Sequence, residues 1–318
     1  MMQRWIVLPI ACALAAATAH GQEYPNRPLR LVIPYAPGGP VDIVGRVVGL
    51  KLTDALGQQV IVDNRAGAGG NIALEIVAKA APDGYTLLMG ANGPIAINPS
   101  LYRKMPVDTA KDLQAVTMVA SSAMILVAHP SLPAASVKEL ITLARAKPGG
   151  INYASSGSGS TAHLSSELFK SMAGVQMIHV PYKGAGPALA DLVGGQVQTM
   201  FTGISSTLPY VKAGKLKALA VSSEKRLPIM PELPTVAEEL PGYEVTTWYG
   251  VFTPSGVPGR VVEHLHRTLA QALAAPDAQA RLAALGADAQ TPDEFSAAIR
   301  KERTKWARIV RESGARAD

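Results

Sequence analysis

A short apolar run and the glycine-containing turn behind it decide the fold class. Leu29-Arg30-Leu31-Val32-Ile33 is followed by Tyr35-Ala36-Pro37-Gly38-Gly39-Pro40-Val41-Asp42. The run is short and partly β-branched, which predicts a buried strand. Behind the turn, residues 42–56 are periodic in the manner of a helix, and Gly57 ends the pattern. A strand that passes directly into a helix is the first half of a βαβ unit.

The same order recurs along the chain. Residues 59–62 and 86–89 are predicted strands with a predicted helix, 71–80, between them. A second series of strands and helices extends from about residue 120 to residue 221. We therefore predict an α/β fold of two doubly wound, Rossmann-like lobes with mostly parallel sheets.

The tail decides where the lobes divide. After a segment rich in proline and charge, it is predicted to hold one strand at 247–252 and three helices, at 260–274, 277–285 and 293–313. One strand cannot form a sheet by itself, so we expect the tail to pack on the first lobe. The predicted division is residues 22–120 plus 224–318 for lobe 1 and 121–223 for lobe 2.

Composition excludes several classes of protein. Of 318 residues, 48% are apolar, which excludes a mainly disordered chain. The formal net charge is +6 and is not concentrated in a basic run, so we expect no nucleic-acid partner, whereas a mild positive field suits small anions. The six histidines do not form a ligand cluster, and Cys12 is the single cysteine. We therefore predict no metal and no cofactor.

The first 21 residues have the pattern of a secretory signal peptide. A short basic start, Met1-Met2-Gln3-Arg4, precedes an apolar stretch and small-residue cleavage patterns near Ala19 and Gly21. Cys12 lies inside this signal, so the mature chain would contain no cysteine. Export without disulfides is typical of the periplasm of a Gram-negative bacterium, which is the predicted location.

The first candidate binding segment is the turn behind the first strand, with Tyr35, Ala36, Gly38, Gly39 and Asp42. Open α/β sheets bind ligands at the carboxyl ends of their strands. Adjacent glycines allow a close approach of the backbone, and a helix start offers free N–H groups to an anion. Two roles stay open for Asp42. Its carboxylate caps the helix, or it faces an amine of the ligand.

The second candidate segment lies between a strand and a helix of the second lobe. It contains five hydroxyls, two glycines and a histidine, and its members are Ser155, Ser156, Gly157, Ser158, Gly159, Ser160, Thr161 and His163. This composition suits a carboxylate that is held by neutral hydrogen-bond donors. The alternatives are a flexible linker and, for His163, an ordinary place on a helix face.

Other motifs are incomplete. Gly67 and Gly69 imitate a dinucleotide fingerprint, but the third glycine is replaced by Ile72. No G-x-S-x-G or phosphate-binding loop is present. A serine hydrolase would therefore require a serine of the 155–160 segment to meet His163 or His179 in three dimensions. We predict that the protein is not an enzyme.

In addition, the sequence resembles the Bug-type periplasmic receptors of tripartite tricarboxylate transporters over almost the whole mature chain. The motifs that carry the resemblance lie in the same order, and they are Tyr24-Pro25-Asn26-Arg27-Pro28, Pro37-Gly38-Gly39-Pro40-Val41-Asp42, Asn64-Arg65-Ala66-Gly67-Ala68-Gly69-Gly70-Asn71, Ala81-Pro82-Asp83-Gly84-Tyr85, Asn152-Tyr153-Ala154-Ser155, His179-Val180-Pro181-Tyr182-Lys183-Gly184 and Trp248-Tyr249-Gly250.

The resemblance implies a flytrap fold of the type II periplasmic binding protein class, whose two lobes close on a small carboxylate. It implies that the two candidate segments contact the ligand, and it adds Asn92 as a residue lining the cleft. It also singles out Thr202, because many relatives carry aspartate at this position. That departure disfavours an amino-acid ligand.

Three functions follow as hypotheses. The leading one is a monomeric periplasmic receptor that captures a small organic carboxylate for membrane transporter subunits. The second is a ligand-sensing protein that acts on a sensor partner. The third is the secreted serine hydrolase, which nothing in the spacing of the residues favours.

Overall fold

The computed structural model describes residues 24–282 and 287–317, so the predicted signal at residues 1–21 lies outside the described part. Within that part, no helix has the length and apolarity required to cross a membrane. The strands are β1 (Leu29–Ile33), β2 (Val60–Asn64), β3 (Thr86–Ala91), β4 (Leu113–Ala128), β5 (Asn152–Ser155), β6 (Ile178–Pro181), β7 (Thr199–Gly203), β8 (Lys217–Val221), β9 (Thr246–Pro254) and β10 (Ala287–Gln290).

The helices alternate with the strands over most of the chain, as predicted. They are α1 (Pro40–Leu56), α2 (Asn71–Ala78), α3 (Asn98–Leu101), α4 (Val137–Ala146), α5 (Thr161–Ala173), α6 (Ala185–Val193), α7 (Ile204–Lys212), α8 (Gly259–Ala274), α9 (Pro276–Leu282) and α10 (Pro292–Ser313). The fold class is therefore α/β.

One mixed sheet runs through the molecule in the order β2-β1-β3-β9-β4-β7-β5-β6, and β8 and β10 also pair with β4. The outer strands pair in parallel, as βα units require. The central pairs of β9 and β4 are antiparallel. The expectation of mostly parallel sheets is therefore wrong at the centre, where β9 enters from the tail and not through a βαβ crossover.

Strand β4 joins two groups of strands. Residues 113–123 pair with β9, and residues 124–128 pair with β7. We call β2, β1, β3, β9 and the start of β4 the first strand group, and the end of β4 with β8, β7, β5 and β6 the second strand group. Both groups thus share one continuous backbone segment of 16 residues.

The tail packs on the first strand group. Strand β9 lies between β3 and β4, and helix α8 packs against α1. Phe295 of α10 lies edge-on to Trp248 of β9, with ring centroids 5.1 Å apart. The predicted start of α10 is also observed, because the Thr291 side chain caps the helix and Glu294 bonds back to the Thr291 N–H. Strand β9 of the tail thus finds its hydrogen-bond partners in β3 and β4 of the first strand group.

Gly250 on β9 is required by the packing of Phe295. A methyl group at Gly250 would overlap the Phe295 ring and would lie 3.0 Å from the carbonyl oxygen of Thr117. We predict that Gly250→Ala lowers the free energy of unfolding by about 1–3 kcal/mol, the usual cost of overpacking a core. The measurement is urea unfolding followed by circular dichroism.

Gly259→Ala is the matched control for this substitution. Gly259 is the first residue of α8, and a methyl group there would have no neighbour within 4 Å. The free energy of unfolding of Gly259→Ala should equal that of the wild type or exceed it slightly, because alanine favours a helix more than glycine does. Equal stability of the two variants would contradict the packing argument.

Candidate functional site

One cavity lies where the two strand groups meet, and its empty volume is about 470 Å³ including the open mouth. Members of both candidate segments line it, together with residues of β3, β4, β7 and β9. The lining residues are Tyr35, Gly39, Pro40, Val41, Asp42, Ala91, Met124, Ser156, Ser160, Thr161, Ala162, Ala185, Thr202, Gly203, Thr247 and Tyr249.

Seven of the predicted site residues are in this lining: Tyr35, Gly39, Asp42, Ser156, Ser160, Thr161 and Thr202. Sequence reasoning missed Met124, Ala185, Thr247 and Tyr249. The signal for Ala185 was available, since it opens a helix directly after a strand and a glycine turn. Nothing local marks Thr247 and Tyr249, because they reach the cavity from an antiparallel strand of the tail.

Four helices begin at the cavity wall. Their N-cap residues are Gly39 for α1, Ser160 for α5, Gly184 for α6 and Gly203 for α7. The first N–H groups of a helix have no partner inside the helix, and the helix dipole adds a partial positive charge there. Only α5 among the four receives a side-chain cap, from the Ser160 hydroxyl to the His163 N–H. The cavity therefore offers anion-binding N–H groups from several directions.

The rest of the polar lining consists mainly of neutral hydroxyl groups. Burial raises the pKa of Tyr35 and of Tyr249, so both phenols stay neutral. The Thr202 side chain is buried, and its Oγ1 has no hydrogen-bond partner among the described residues. A buried hydroxyl without a partner costs free energy. Thr202 therefore brings to the cavity wall a buried hydroxyl that no described residue satisfies.

Asp42 is the one charged side chain of the lining, and its carboxylate is already occupied. Oδ2 accepts hydrogen bonds from the Gly38 N–H and from Arg46, both at 3.0 Å, and Oδ1 accepts one from Asn64 at 3.0 Å. Burial raises the pKa of Asp42, but these hydrogen bonds outweigh burial and hold it below its ordinary value. The proposed N-cap role of Asp42 is wrong, since Gly39 is the N-cap and Asp42 lies three residues further on.

The two candidate segments touch the opposite strand group directly. The Ala36 N–H donates to the carbonyl oxygen of Lys183 at 3.0 Å, and Gly38 lies against Gly186. Tyr102 Oη donates to the carbonyl oxygen of Ser158 at 3.1 Å. Ala36, Gly38 and Ser158 are thus placed at contacts beside the cavity, outside its lining.

The second segment is held from behind by two histidines. Ser155 Oγ lies 2.6 Å from His179 Nε2 and accepts the Gly157 N–H at 3.1 Å. His163 Nδ1 accepts the Gly159 N–H at 3.2 Å. The hydrolase hypothesis required such a meeting of serine and histidine. However, Ser155 is fully buried and does not line the cavity, so its oxygen presents no surface to a substrate.

Asn92 is buried beneath the cavity rather than in its lining. Its Oδ1 accepts the Trp248 N–H at 2.6 Å, and its Nδ2 donates to Glu302 at 2.8 Å. Glu302 also accepts the indole N–H of Trp306 at 2.8 Å. The Asn92 side chain thus joins β9 to α10.

Two other sequence features have structural places. Gly67, Gly69 and Gly70 have positive φ and form the turn that leads into α2, so this glycine cluster shapes the backbone. Within residues 24–282 and 287–317, no group of three or more His, Cys, Asp or Glu is arranged to hold a metal ion.

Comparisons with known proteins agree on the kind of molecule. Residues 44–315 match the family model of the tripartite tricarboxylate transporter family receptor, TctC. Protein BugT of Bordetella pertussis is 39% identical over 311 residues, which cover 96% of this chain and 95% of BugT.

Solved structures extend the match to three dimensions. The structure of R. palustris Rpa4515 with adipate has a TM-score of 0.89 and 37% identity, and covers 92% of this chain and 99% of that one. MatC from Rhodopseudomonas palustris with bound malate has a TM-score of 0.86 and 33% identity, over 90% of this chain and all of MatC. The curled mixed sheet is thus the type II-like flytrap fold of periplasmic binding proteins, as the resemblance implied.

The buried imidazole of His163 makes stability depend on pH. Burial, together with the charge of Lys170, lowers the pKa of His163 to about 4. In the unfolded chain the pKa is about 6.5, so the unfolded state binds more protons between these values. We predict that the free energy of unfolding falls by about 3 kcal/mol as the pH drops from 6.5 to 4.

The measurement is urea unfolding at a series of pH values. The comparison with His163→Asn isolates this imidazole from the carboxylates, which titrate at the acid end of the same range. The variant should lose about 3 kcal/mol less over the interval. Parallel pH profiles for the two proteins would contradict the assignment.

Proposed function

The chain belongs to the tripartite tricarboxylate transporter receptor family, and we propose that it is a periplasmic receptor that captures a small organic carboxylate in the cavity between its strand groups. The division into lobes at residues 22–120 plus 224–318 and 121–223 belongs to this proposal. The continuity of β4 across both groups supports it, because a shared strand can act as a hinge.

The observation that carries the proposal is the meeting of four helix N-termini and neutral hydroxyls around one cavity. Each helix start contributes about 0.3–1 kcal/mol to anion binding, hence about 1–4 kcal/mol for four. A micromolar affinity needs about 8 kcal/mol. Hydrogen bonds to a charged ligand contribute about 1.5–3 kcal/mol each, so two or three hydroxyls or N–H groups supply the remainder.

The same lining favours a dicarboxylate without an amino group. An ammonium group in the cavity would find Asp42 as its one carboxylate, whose oxygens are bonded to Gly38, Arg46 and Asn64. Two carboxylates, in contrast, could each be held by helix starts from a different strand group. The adipate of Rpa4515 and the malate of MatC are dicarboxylates of this kind.

The mechanism we infer is capture by closure. The ligand bridges the two strand groups and thereby favours the arrangement in which Ala36 bonds to Lys183. The protein binds and releases its ligand unchanged, as a monomer, and delivers it to membrane subunits of a transporter. The predicted export signal and the family membership support action in the periplasm.

A thermal-shift screen of the refolded, ligand-free mature chain tests the function. Adipate, malate, succinate, citrate and aspartate are the first probes. A ligand present at about 1,000 times its Kd adds about 4 kcal/mol of stability, which should raise Tm by roughly 8–16 °C. We expect a dicarboxylate to give this shift and aspartate to give none. No shift with any carboxylate would contradict the proposed ligand class.

The Thr202 hydroxyl tests the location of the site. We predict that Thr202→Val weakens binding of the best probe roughly tenfold, because one hydrogen bond to a charged ligand is lost. Thr199→Val is the matched control, since Thr199 Oγ1 is also buried without a partner on β7 but does not line the cavity. Calorimetric titration measures both variants. An unchanged Kd in Thr202→Val would remove this residue from the site.

A further inference from the structure

The loop at residues 155–161 owes its shape to side chains beneath it. Gly157 and Gly159 both have positive φ, and each donates its N–H to a side chain, to Ser155 Oγ at 3.1 Å and to His163 Nδ1 at 3.2 Å. Ser155 Oγ in turn lies 2.6 Å from His179 Nε2. The two glycine N–H groups that fix the loop therefore depend on two imidazoles.

The imidazoles also support each other. Their rings stack with centroids 4.1 Å apart and an interplanar angle of 13°. Tyr153 stacks on the other face of His179 at 4.9 Å. A flat stack of this kind resists a shift of either ring, so the acceptor atoms stay in place under the loop.

The hydrogen bond from Gly159 fixes the protonation state of His163. An imidazole nitrogen accepts a hydrogen bond only when it carries no proton. His163 Nδ1 must therefore be unprotonated, and the ring must be neutral. A second charge on His179, stacked at 4.1 Å, would repel a charge on His163.

The charged group whose field acts on His163 disfavours its protonation. This group is Lys170 on α5. Glu167 is bonded to Lys170 at 2.7 Å and to the Tyr153 hydroxyl. Among the described residues, β5, β7 and α10 also pack against α5 and add no charge that acts on His163. No carboxylate therefore stabilises an imidazolium at His163.

We propose that His163 and His179 are a positioning pair that holds loop 155–161 in its ligand-binding shape, and that protonation of His163 releases that loop and the ligand. The ligand part rests on the proposed function, because Ser156, Ser160 and Thr161 of this loop line the cavity. The claim that the two histidines hold the loop does not depend on the proposed function. Below about pH 5, the affinity should then fall more steeply than titration of the ligand carboxylates alone requires.

Nitrogen-15 NMR of the full mature chain tests the loop part without any ligand. At pH 7 the imidazole signals should show His163 with its proton on Nε2. His163→Phe keeps a ring in the stack but lacks the acceptor, so the Gly157 and Gly159 amide signals should move. His163→Asn supplies a non-titrating acceptor and should return the Gly159 signal towards its wild-type position. His129→Asn is the control and should leave both signals unchanged, because this half-buried histidine bonds to Ser131 and does not contact the loop.

Calorimetric titration with the best dicarboxylate of the thermal screen tests the ligand part. At pH 7, His163→Phe should bind roughly tenfold more weakly than wild type, and His163→Asn should recover most of that loss. Between pH 7 and 3.5, a range that spans the pKa of His163 at about 4, the affinity of wild type should fall more steeply than that of His163→Asn. The difference between the two profiles removes the contribution of the ligand carboxylates.

Two results would overturn the proposal. One is an unchanged Gly159 amide signal in His163→Phe, which would show that the ring does not hold the loop. The other is a pH profile of binding that is the same in wild type and His163→Asn, which would assign all of the acid sensitivity to the ligand. Failure of every dicarboxylate in the thermal screen would count against the proposed function, while the loop signals would still decide the role of the histidines.

Discussion

The continuity of strand β4 is the constraint on which the rest of the structure depends. Its 16 residues are almost all buried, and they pair with β9 in the first part and with β7 and β8 in the second. Because hydrogen bonds on both edges hold one backbone segment, the two strand groups cannot separate completely. In the proposed division into lobes, the hinge of β4 lies where the partners change, near Ala123 and Met124. The cavity lies at this place, and Met124 is part of its wall.

The position of the cavity explains how it can offer N–H groups to an anion although its lining contains no cation. Parallel βα units place every helix start at the carboxyl end of a strand. Where two such groups of strands face each other, helix starts from both converge on the same space. The N-caps of α1, α6 and α7 are glycines, so no side chain at these positions occupies the first N–H groups of the helices.

Local signals predicted what depends on local structure. Helix α10 lies within one residue of its prediction, because Thr291 caps its start and Gly314 ends it in the left-handed conformation. In contrast, no local signal defines the length of β4, since most of this strand is defined by β9, whose sequence lies more than a hundred residues away. The place of Thr247 and Tyr249 in the cavity wall could not be predicted for the same reason. Asn92 was predicted to line the cleft because it follows a strand, as the other site residues do. Instead, its amide donates to Glu302, which lies 210 residues further along the chain and which no local signal indicates.

The tie between Asn92 and Glu302 also gives the tail a part in shaping the cavity. Asn92 follows Ala91 of the cavity wall, and its side chain bonds to Trp248, which lies between Thr247 and Tyr249 on β9. Glu302 joins this group to Trp306 of α10, which is fully buried. Helix α10 thus contacts the segments that carry three lining residues in two ways, through the Asn92 amide and through Phe295 on Trp248. The tail completes the sheet, and for this reason it also determines one wall of the site.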